Sequence, residues 1–321
     1  MKKKILSTVS IFVLAVALCT GCNGNLFQII DSFDGYYTKN KEVAGSGLKG
    51  MASDLAVLSE AEATDPDYQS KDYADLVIND STDEIVESYH CFDKIYPASI
   101  TKVMTALLTL EHGNLDDEIT LKHDINLTEN GAVISTLTKG DTVTVGQVFH
   151  TMMIKSANDC AVILAEYVAG SESKFVDMMN AKAKELGATH THFVNPNGLH
   201  DNDHYTTAYD LYLIFKEAVK YDVFVDTVSS KDYTMTYTTP KKTQINEYMQ
   251  STNYYLLNEF PVPEGVVMYG GKTGTTSMAK SCLIVMTKNK KGERFFSVVL
   301  GAQTKEALYS SMTQLLEKTV N

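Results

Sequence analysis

A serine and a lysine three residues apart begin an apolar stretch of the chain, YPASITKVMTALLTLE, which covers residues 96–111. Residues i and i+3 of a helix share a face, so the ammonium group of Lys102 can lie over the hydroxyl of Ser99. A serine becomes a good nucleophile when a base removes its proton, and a lysine is such a base only when neutral. Burial lowers the pKa of a lysine, and a second cation nearby lowers it further. The pair therefore predicts an activated serine, provided that the helix keeps Lys102 dry.

The spacing of this pair is not specific by itself. An alternative interpretation of Lys102 is a charge that extends from a half-buried helix into water. In favour of chemistry, only Ser99 precedes a long apolar helix, and Pro97 marks its first turn, where unpaired backbone N–H groups favour a developing oxyanion. Three other pairs share the spacing without that context: Ser46 and Lys49, Ser171 and Lys174, and Ser277 and Lys280.

Two further motifs carry polar groups that fit the same chemistry. Ser156-Ala-Asn158 stands at the head of a predicted helix, where its hydroxyl can relay a proton and its carboxamide can bind a peptide carbonyl. The K-T-G motif at residues 272–274 occurs once, inside a β-rich run. There Lys272 supplies a cation, Thr273 a hydrogen-bond donor, and Gly274 room for a substrate chain along the strand edge. Each motif alone is weakly specific, whereas the order S-x-x-K, S-x-N, K-T-G is strongly so.

The elements that must position these residues follow from hydrophobic periodicity. Residues 74–79 and 84–89 predict a hairpin, after which comes the helix that carries Ser99 and Lys102. Further helices are predicted at 148–154, 159–168, 173–186 and about 305–319, two short extended pieces at 118–121 and 142–145, and strands at 233–239, 266–273, 281–287 and 295–300. Strands, then helices, then strands predict an α+β fold, in which one antiparallel sheet is flanked by helices and carries an inserted helical subdomain at about 115–225.

The composition excludes some partners. The chain has 321 residues, a formal net charge of −12 and Arg294 as its only arginine. An acidic chain argues against nucleic acid as a partner, because phosphate binding needs a positive face. Lysines would have to bind anions here, as point charges rather than as bidentate clamps.

The N-terminus predicts export. Three lysines at positions 2–4 precede an apolar run at residues 5–18 that is short for a transmembrane helix. The run ends in L-C-T-G-C, which resembles a bacterial lipobox with Cys22 as the lipid-bearing residue, although Cys19 stands where leucine is usual. A lipoprotein anchored to the membrane is the first expectation, plain secretion the second and an uncleaved anchor the third. Residues 1–22 are thus expected to be a signal peptide, and residues 23–70 a tether.

The remaining cysteines and histidines predict no metal site and no cofactor. Cys91, Cys160 and Cys282 are sparse and match no zinc spacing, so they are expected to be small buried hydrophobic residues. The segment His200-Asp-Asn-Asp-His204 holds two histidines and two carboxylates. It shows no helical pattern, and a loop that packs near the site is favoured over a metal site.

The ordered triplet of motifs resembles that of the low-molecular-mass penicillin-binding proteins, the serine D-Ala-D-Ala carboxypeptidases of peptidase family S11. The resemblance covers residues 70 to 318. It extends beyond the triplet to P-A-S-I-T-K-V-M-T-A at 97–106, S-A-N-D at 156–159, F-V-N-P-N-G-L at 193–199, H-Y-T-T-A-Y-D at 204–210 and V-V-L-G at 298–301. It implies a β-lactamase/DD-peptidase-like fold, with the catalytic domain at residues 71–321.

The resemblance also implies a role for each motif residue. Ser99 would be the acyl-ester nucleophile, Lys102 its general base and Ser156 the group that passes the proton toward the leaving amine. The residues that would bind the substrate, a peptidoglycan stem peptide ending in D-Ala-D-Ala, are Asn158, Lys272, Thr273, Gly274 and Thr275. Backbone N–H groups of Ser99 and Thr275 would form the oxyanion hole. β-Lactams would act as covalent inhibitors.

Three departures from the family pattern are visible. Leu308 stands at the expected position of an arginine that helps to bind the terminal carboxylate in many relatives, so Lys272 and the threonines would bind it alone. Lys280 follows Ala279 where relatives usually have glycine. Many relatives carry a C-terminal β-rich domain, and here the chain is expected to have none.

Two other functions remain open at this point. A class A-like β-lactamase deacylates with a glutamate in a Glu-x-x-x-Asn pattern between the second and third motifs, and residues 188–207 contain no glutamate. A non-catalytic wall-binding or regulatory homologue is the other alternative. The intact serines and lysines argue against it, while the missing arginine argues for it.

Overall fold

The computed structural model describes residues 74–127, 129 and 131–320. The predicted signal peptide, the tether and Cys22 lie outside these residues. Nine strands are described: β1 (Ala74–Asn79), β2 (Glu84–Tyr89), β3 (Glu118–Thr120), β4 (Thr142–Thr144), β5 (Asp232–Thr238), β6 (Gln244–Gln250), β7 (Val266–Thr276), β8 (Lys280–Asn289) and β9 (Arg294–Ala302). Seven α-helices are described: α1 (Lys102–His112), α2 (Val145–Ile154), α3 (Asn158–Ala169), α4 (Glu172–Glu185), α5 (Ala208–Ala218), α6 (Asp222–Ser229) and α7 (Lys305–Glu317).

The main sheet is antiparallel, with strand order β2-β1-β9-β8-β7. Successive side chains of a strand point to opposite faces. In β1, Leu76 and Ile78 join the larger core with α1 and α5, while Val77 joins a smaller core under α7. The central strands are therefore apolar on both faces, and helices cover both. β7, which carries the K-T-G motif, is left as an edge strand.

The second sheet departs from the prediction of a single sheet. Its strand order is β3-β4-β5-β6. The two short extended pieces predicted in the helical region are β3 and β4, and they pair with β5 and β6 rather than standing alone. β6 was not predicted, because its sequence Q-I-N-E-Y-M-Q is mostly polar and exposed on alternate residues. The α+β class, the hairpin at β1 and β2 and the antiparallel main sheet are confirmed.

Helix α1 runs through the centre of the larger core. Its residues 102–109 are all buried, and α2, α3, α4 and α5 pack around it. A helix that is buried all round belongs in a core, so the environment of Lys102 is dry, as the sequence predicted. Within the described part of the chain, none of the helices has the length and apolar character needed to cross a membrane.

Lys280 lies in the β7–β8 turn, at the position where relatives usually have glycine. Its φ is +59°, in the left-handed region that glycine adopts without a steric penalty. Lys280 therefore adopts a backbone conformation that is unfavourable for a residue with a side chain. The three described cysteines, Cys91, Cys160 and Cys282, are free and buried, as predicted.

Candidate active site

Ser99 lies in a tight turn that precedes α1. Residues Ala98–Thr101 form one turn of 3-10 helix, and Ala98 has a φ of +46°, which is uncommon for a residue with a side chain. β7 packs closely against this turn. A Cβ added to Gly274 would stand 3.0 Å from the backbone nitrogen of Ser99 and 2.9 Å from the carbonyl oxygen of Pro97. The glycine of K-T-G is therefore required for the strand to approach the nucleophile, and not only to leave room for substrate.

Lys102 is 0% exposed, and its Nζ contacts three oxygen atoms. Ser99 Oγ lies at 2.9 Å, Asn158 Oδ1 at 2.8 Å and the carbonyl oxygen of Asn197 at 2.6 Å. The two carbonyl oxygens can only accept, so in the neutral amine they can take both N–H groups. The lone pair is then free for the hydroxyl of Ser99, which is the geometry that a general base needs.

The surroundings of Lys102 favour the neutral amine. Burial lowers the pKa of Lys102 well below its usual value of 10.5, and the charge of Lys272 lowers it further. Burial also lowers the pKa of Lys272, to about 7. Lys272 of the K-T-G motif is thus the second cation expected near Ser99 and Lys102, the one that further lowers the pKa of Lys102.

The second and third motifs meet at Ser156 and Lys272. The Nζ of Lys272 donates to Ser156 Oγ at 2.9 Å and to the carbonyl oxygen of Thr273 at 2.9 Å. Ser156 has a φ of +65°, and backbone in this rarely populated region clusters at functional sites. Ser156 is 7% exposed and Lys272 is 1% exposed, so their hydrogen bond is shielded from water.

Both ends of the side-chain amide of Asn158 are hydrogen-bonded. Its Oδ1 accepts from Lys102, and its Nδ2 donates to the carbonyl oxygen of Val133 at 3.0 Å. The same carbonyl accepts the backbone N–H of Asn158 at 2.8 Å. An amide nitrogen carries two hydrogens, so one N–H of Asn158 remains for a ligand in the cleft.

A cleft of about 470 Å³ opens beside these groups. Ser99, Ser156 and Asn158 line it from one side, and Thr273 and Thr275 line it from the edge strand β7. Thr275 is exposed, while Thr273 is half-buried and shares a hydrogen bond of 2.5 Å with the hydroxyl of Thr252. Six of the eight sequence-predicted residues therefore line one cavity, and the other two, Lys102 and Lys272, are hydrogen-bonded to Ser99 and Ser156 at its wall.

The segment F-V-N-P-N-G-L contributes a contact that sequence reasoning missed. The carbonyl of Asn197 accepts from Lys102, and the carbonyl of Pro196 accepts from Thr105 Oγ1 at 2.6 Å. Gly198 has a φ of +85°, and a Cβ there would stand 1.9 Å from the carbonyl oxygen of Ala98. The Asn-Pro-Asn-Gly sequence signals a turn, but nothing in it indicates that the turn lies against the nucleophile.

His204 packs near the site and is used structurally. The backbone N–H of Val194 donates to His204 Nδ1 at 3.2 Å, so the ring proton is on Nε2 and donates to Thr101 Oγ1 at 2.8 Å. Burial lowers the pKa of His204 to about 3. The prediction that this loop packs near the site is confirmed. Among the residues the structure describes, no cluster of three or more metal-ligating side chains occurs.

Leu308 and Lys305 of α7 both line the far end of the cleft, where many relatives have an arginine. Leu308 is 3% exposed and belongs to the core under α7, although it also lines the cleft. Lys305, one turn earlier on α7, is exposed and lines the same cleft. Its Nζ donates to the hydroxyl of Tyr254 and lies 4.2 Å from the centre of that ring. No carboxylate of the described residues lies within ion-pair distance of this ammonium, which sequence reasoning did not single out.

Comparisons with known protein families agree with this geometry. The family model Peptidase_S11, described as D-alanyl-D-alanine carboxypeptidase, matches residues 59–304. The curated D-alanyl-D-alanine carboxypeptidase DacF of Bacillus subtilis (strain 168) is 34% identical over 247 residues, which are 75% of this chain and 60% of that protein. This chain thus spans less than two thirds of the length of that relative.

Two solved structures are similar in fold as well. The crystal structure of the Streptomyces K15 DD-transpeptidase has a TM-score of 0.71 and 26% sequence identity, covering 78% of this chain and 98% of that one. Penicillin-Binding Protein D2 from Listeria monocytogenes, in the cefotaxime-bound form, has a TM-score of 0.65 and 27% identity, covering 79% and 99%.

Proposed function

The chain belongs to the peptidase S11 family of D-alanyl-D-alanine carboxypeptidases, and we propose that it removes the terminal D-alanine of peptidoglycan stem peptides through an acyl-enzyme on Ser99. The observation that carries this proposal is the buried Lys102, whose pKa is lowered and whose Nζ lies 2.9 Å from Ser99 Oγ. A serine without a base is a poor nucleophile. Here the base is dry and in contact with the serine, and its lowered pKa favours the neutral form.

Acylation follows from these contacts. Lys102 takes the proton of Ser99, and Ser99 Oγ attacks the carbonyl carbon of the penultimate D-alanine. The oxygen of that carbonyl gains the negative charge, which backbone N–H groups of Ser99 and Thr275 stabilise. A single donor of this kind contributes about 3–4 kcal/mol in hydrolases where it has been removed. The C–N bond then breaks. Ser156 gives its hydroxyl proton to the amine of the departing D-alanine and receives the proton that Lys102 took from Ser99, so Lys102 is neutral again for the second step.

Hydrolysis of the acyl-enzyme uses the same groups in reverse. Water enters where the D-alanine left, gives a proton to Lys102 and attacks the ester carbonyl. The C–O bond to Ser99 breaks, and the serine regains its proton from Lys102. Throughout, Asn158 holds the acyl chain through its free N–H, and the hydrogen bond of Lys272 to Ser156 keeps that hydroxyl in place.

The terminal carboxylate of the substrate is assigned to Lys305 together with the hydroxyls of Thr273 and Thr275. Lys305 supports this assignment because its ammonium lines the cleft and has no described carboxylate partner. The Tyr254 ring beneath it is stacked on Tyr309, with ring centres 5.6 Å apart, so the ammonium rests on a rigid platform. This proposal adds Lys305 to the lysine and threonines that the sequence predicts for the carboxylate.

Export and lipid attachment belong to the same proposal. A substrate in the cell wall requires that the enzyme act outside the cytoplasmic membrane, and the basic, apolar N-terminus that ends at Cys22 supports an exported lipoprotein. Covalent reaction with β-lactams follows as well, because a β-lactam presents a strained amide to the same serine. One described structural relative was solved in its cefotaxime-bound form.

The experiment compares two reactions of the purified protein. D-Alanine release from a stem-peptide mimic ending in D-Ala-D-Ala is measured beside the turnover of nitrocefin. We expect sustained D-alanine release and at most one slow turnover of nitrocefin. Fast, continuing nitrocefin hydrolysis without D-alanine release would assign the chain to the β-lactamases instead. Release of neither product, with no covalent adduct, would indicate a non-catalytic homologue.

A further inference from the structure

Two adjacent apolar side chains stand exposed at the rim of the cleft. Val133 is 45% exposed and Ile134 is 51% exposed. Val133 lines the cleft together with Ser99 and Asn158. Single exposed apolar residues are common on protein surfaces. A neighbouring pair beside a nucleophile is a more specific feature, since exposed apolar surface that adjoins a cleft marks a binding region.

The backbone under this pair is fixed on both sides. The carbonyl of Val133 accepts two hydrogen bonds from Asn158, at 2.8 and 3.0 Å. Ser135 donates its backbone N–H and its hydroxyl to the carboxylate of Asp159, with the hydroxyl contact at 2.5 Å. Asp159 is only 4% exposed, so this attachment is shielded from water.

A second carboxylate fixes the next residue. Glu247 Oε2 on β6 accepts the backbone N–H of Thr136 at 3.0 Å and its hydroxyl at 2.6 Å. Glu247 also forms an ion pair with Lys155, the residue before Ser156. Val133 and Ile134 therefore do not project from a loose loop, because hydrogen bonds to the residues around Ser156 hold them toward the solvent.

The charged groups that hold this segment are paired. Lys155 and Glu247 neutralise each other, and the carboxylate of Asp159 is buried and hydrogen-bonded. Glu129 is exposed and lines the same cleft, so a ligand chain there meets the apolar side chain of Val133 beside one carboxylate. Asn158 connects this surface to the catalytic groups, because its side chain binds both the base Lys102 and the carbonyl of Val133. The surface therefore lies next to the part of the substrate that Asn158 binds.

We propose that Val133 and Ile134 form a subsite for an aliphatic side chain on the acyl side of the scissile bond. The residue involved is the one that precedes the two D-alanines. The leaving D-alanine lies at the opposite end, toward Lys305, so the acyl chain runs past Asn158 and onto this pair. The proposal rests on the proposed function, since it concerns the substrate of the same nucleophile.

The test uses two tripeptide donors, acetyl-norleucyl-D-Ala-D-Ala and acetyl-glycyl-D-Ala-D-Ala, and measures kcat/KM for D-alanine release. We expect the wild type to prefer the norleucine peptide by about tenfold or more, since discrimination by a few methylene groups in an apolar site is of this order. In the double variant Val133→Ser/Ile134→Ser, the ratio between the two peptides should fall close to one.

The ratio separates recognition from a structural effect, because a distorted active site would slow both peptides alike. The control variant Val267→Ser removes an apolar side chain that is 56% exposed but does not line the cleft, and it should keep the wild-type ratio. A wild type without preference, or a double variant that keeps it, would overturn the subsite. Release of D-alanine from neither peptide by the wild type would count against the proposed function instead.

Discussion

The Nζ of Lys102 lies 2.6 Å from the backbone carbonyl oxygen of Asn197, a residue 95 positions later in the chain. This contact, with that to Asn158, uses up the donors of the neutral amine and leaves its lone pair for Ser99. The direction of the base therefore depends on the loop that carries Asn197. That loop is in turn held against the nucleophile's turn by Gly198.

Gly198→Ala should reduce acylation by a penicillin at least a hundredfold. The added Cβ would stand 1.9 Å from the carbonyl oxygen of Ala98, and the φ of +85° is unfavourable for alanine. The loop must move away, and a displacement of about 1 Å at a catalytic group can cost a hundredfold in rate. The rate of fluorescent penicillin labelling in stopped-flow or gel assays measures this.

Gly292→Ala is the matched control for that variant. Gly292 has a φ of +82°, and a Cβ there would meet no atom within 4 Å. It carries the same backbone strain without the collision. Equal losses in the two variants would show that strain alone, and not the position of the Asn197 carbonyl, accounts for the effect.

The pH dependence of acylation tests the electrostatic role of Lys272. Lys102 must be neutral to act, so the rate should rise with pH through its lowered pKa. Because the charge of Lys272 contributes to that lowering, Lys272→Gln should move the acid limb of the profile to higher pH. Burial lowers the pKa of Lys272 itself to about 7, so the displacement should be greatest below that pH. An acid limb that stays in place or moves to lower pH would contradict the coupling.

Lys305→Gln should raise KM for a stem-peptide mimic with a free C-terminal carboxylate by about tenfold, which corresponds to about 1.4 kcal/mol. The expected cause is the loss of a charge-assisted hydrogen bond to the carboxylate. Lys305→Arg should retain most of the affinity, and Lys290→Gln, a change at an exposed lysine outside the cleft, should have no effect. If Lys305→Gln left KM unchanged, the carboxylate would have to bind elsewhere.

His204 should contribute to acid sensitivity of the fold. Its pKa is lowered from 6.5 to about 3, so the unfolded chain binds the proton more readily between these values. The contribution of His204 to the free energy of unfolding is complete above pH 6.5 and is lost as the pH falls toward 3. The free energy of unfolding then changes by up to about 1.4 kcal/mol per pH unit. His204→Gln should flatten this part of the curve in urea unfolding. An identical slope in both proteins would contradict a buried neutral His204.

The sequence predicted the class of the fold and the residues of the three motifs because both depend on short-range patterns. Apolar alternation located β1, β2, β8 and β9, and the long apolar helix after Ser99 indicated a dry lysine. The second sheet was not predicted, since β6 is largely polar and its partners β3 and β4 are three residues each. Such strands become stable only through pairing.

The contacts that complete the site are long-range and could not be predicted from the sequence. Asn197 binds Lys102 through a backbone carbonyl, which any residue possesses, so its side chain carries no signal. Lys305 belongs to none of the three motifs, and its place in the cleft follows only from the packing of α7 against the edge of the site. The rim residues Val133 and Ile134 are apolar and yet exposed, and the two residues that follow them, Ser135 and Thr136, are held by Asp159 and Glu247.

The most direct test of the catalytic assignment is mass spectrometry of the purified protein after reaction with a penicillin. The wild type should gain the mass of one penicilloyl group, and peptide mapping should place it on Ser99. Ser99→Ala should gain nothing, while circular dichroism shows that it remains folded. A wild type that stays unmodified, or an adduct that persists in Ser99→Ala, would contradict the acyl-enzyme mechanism.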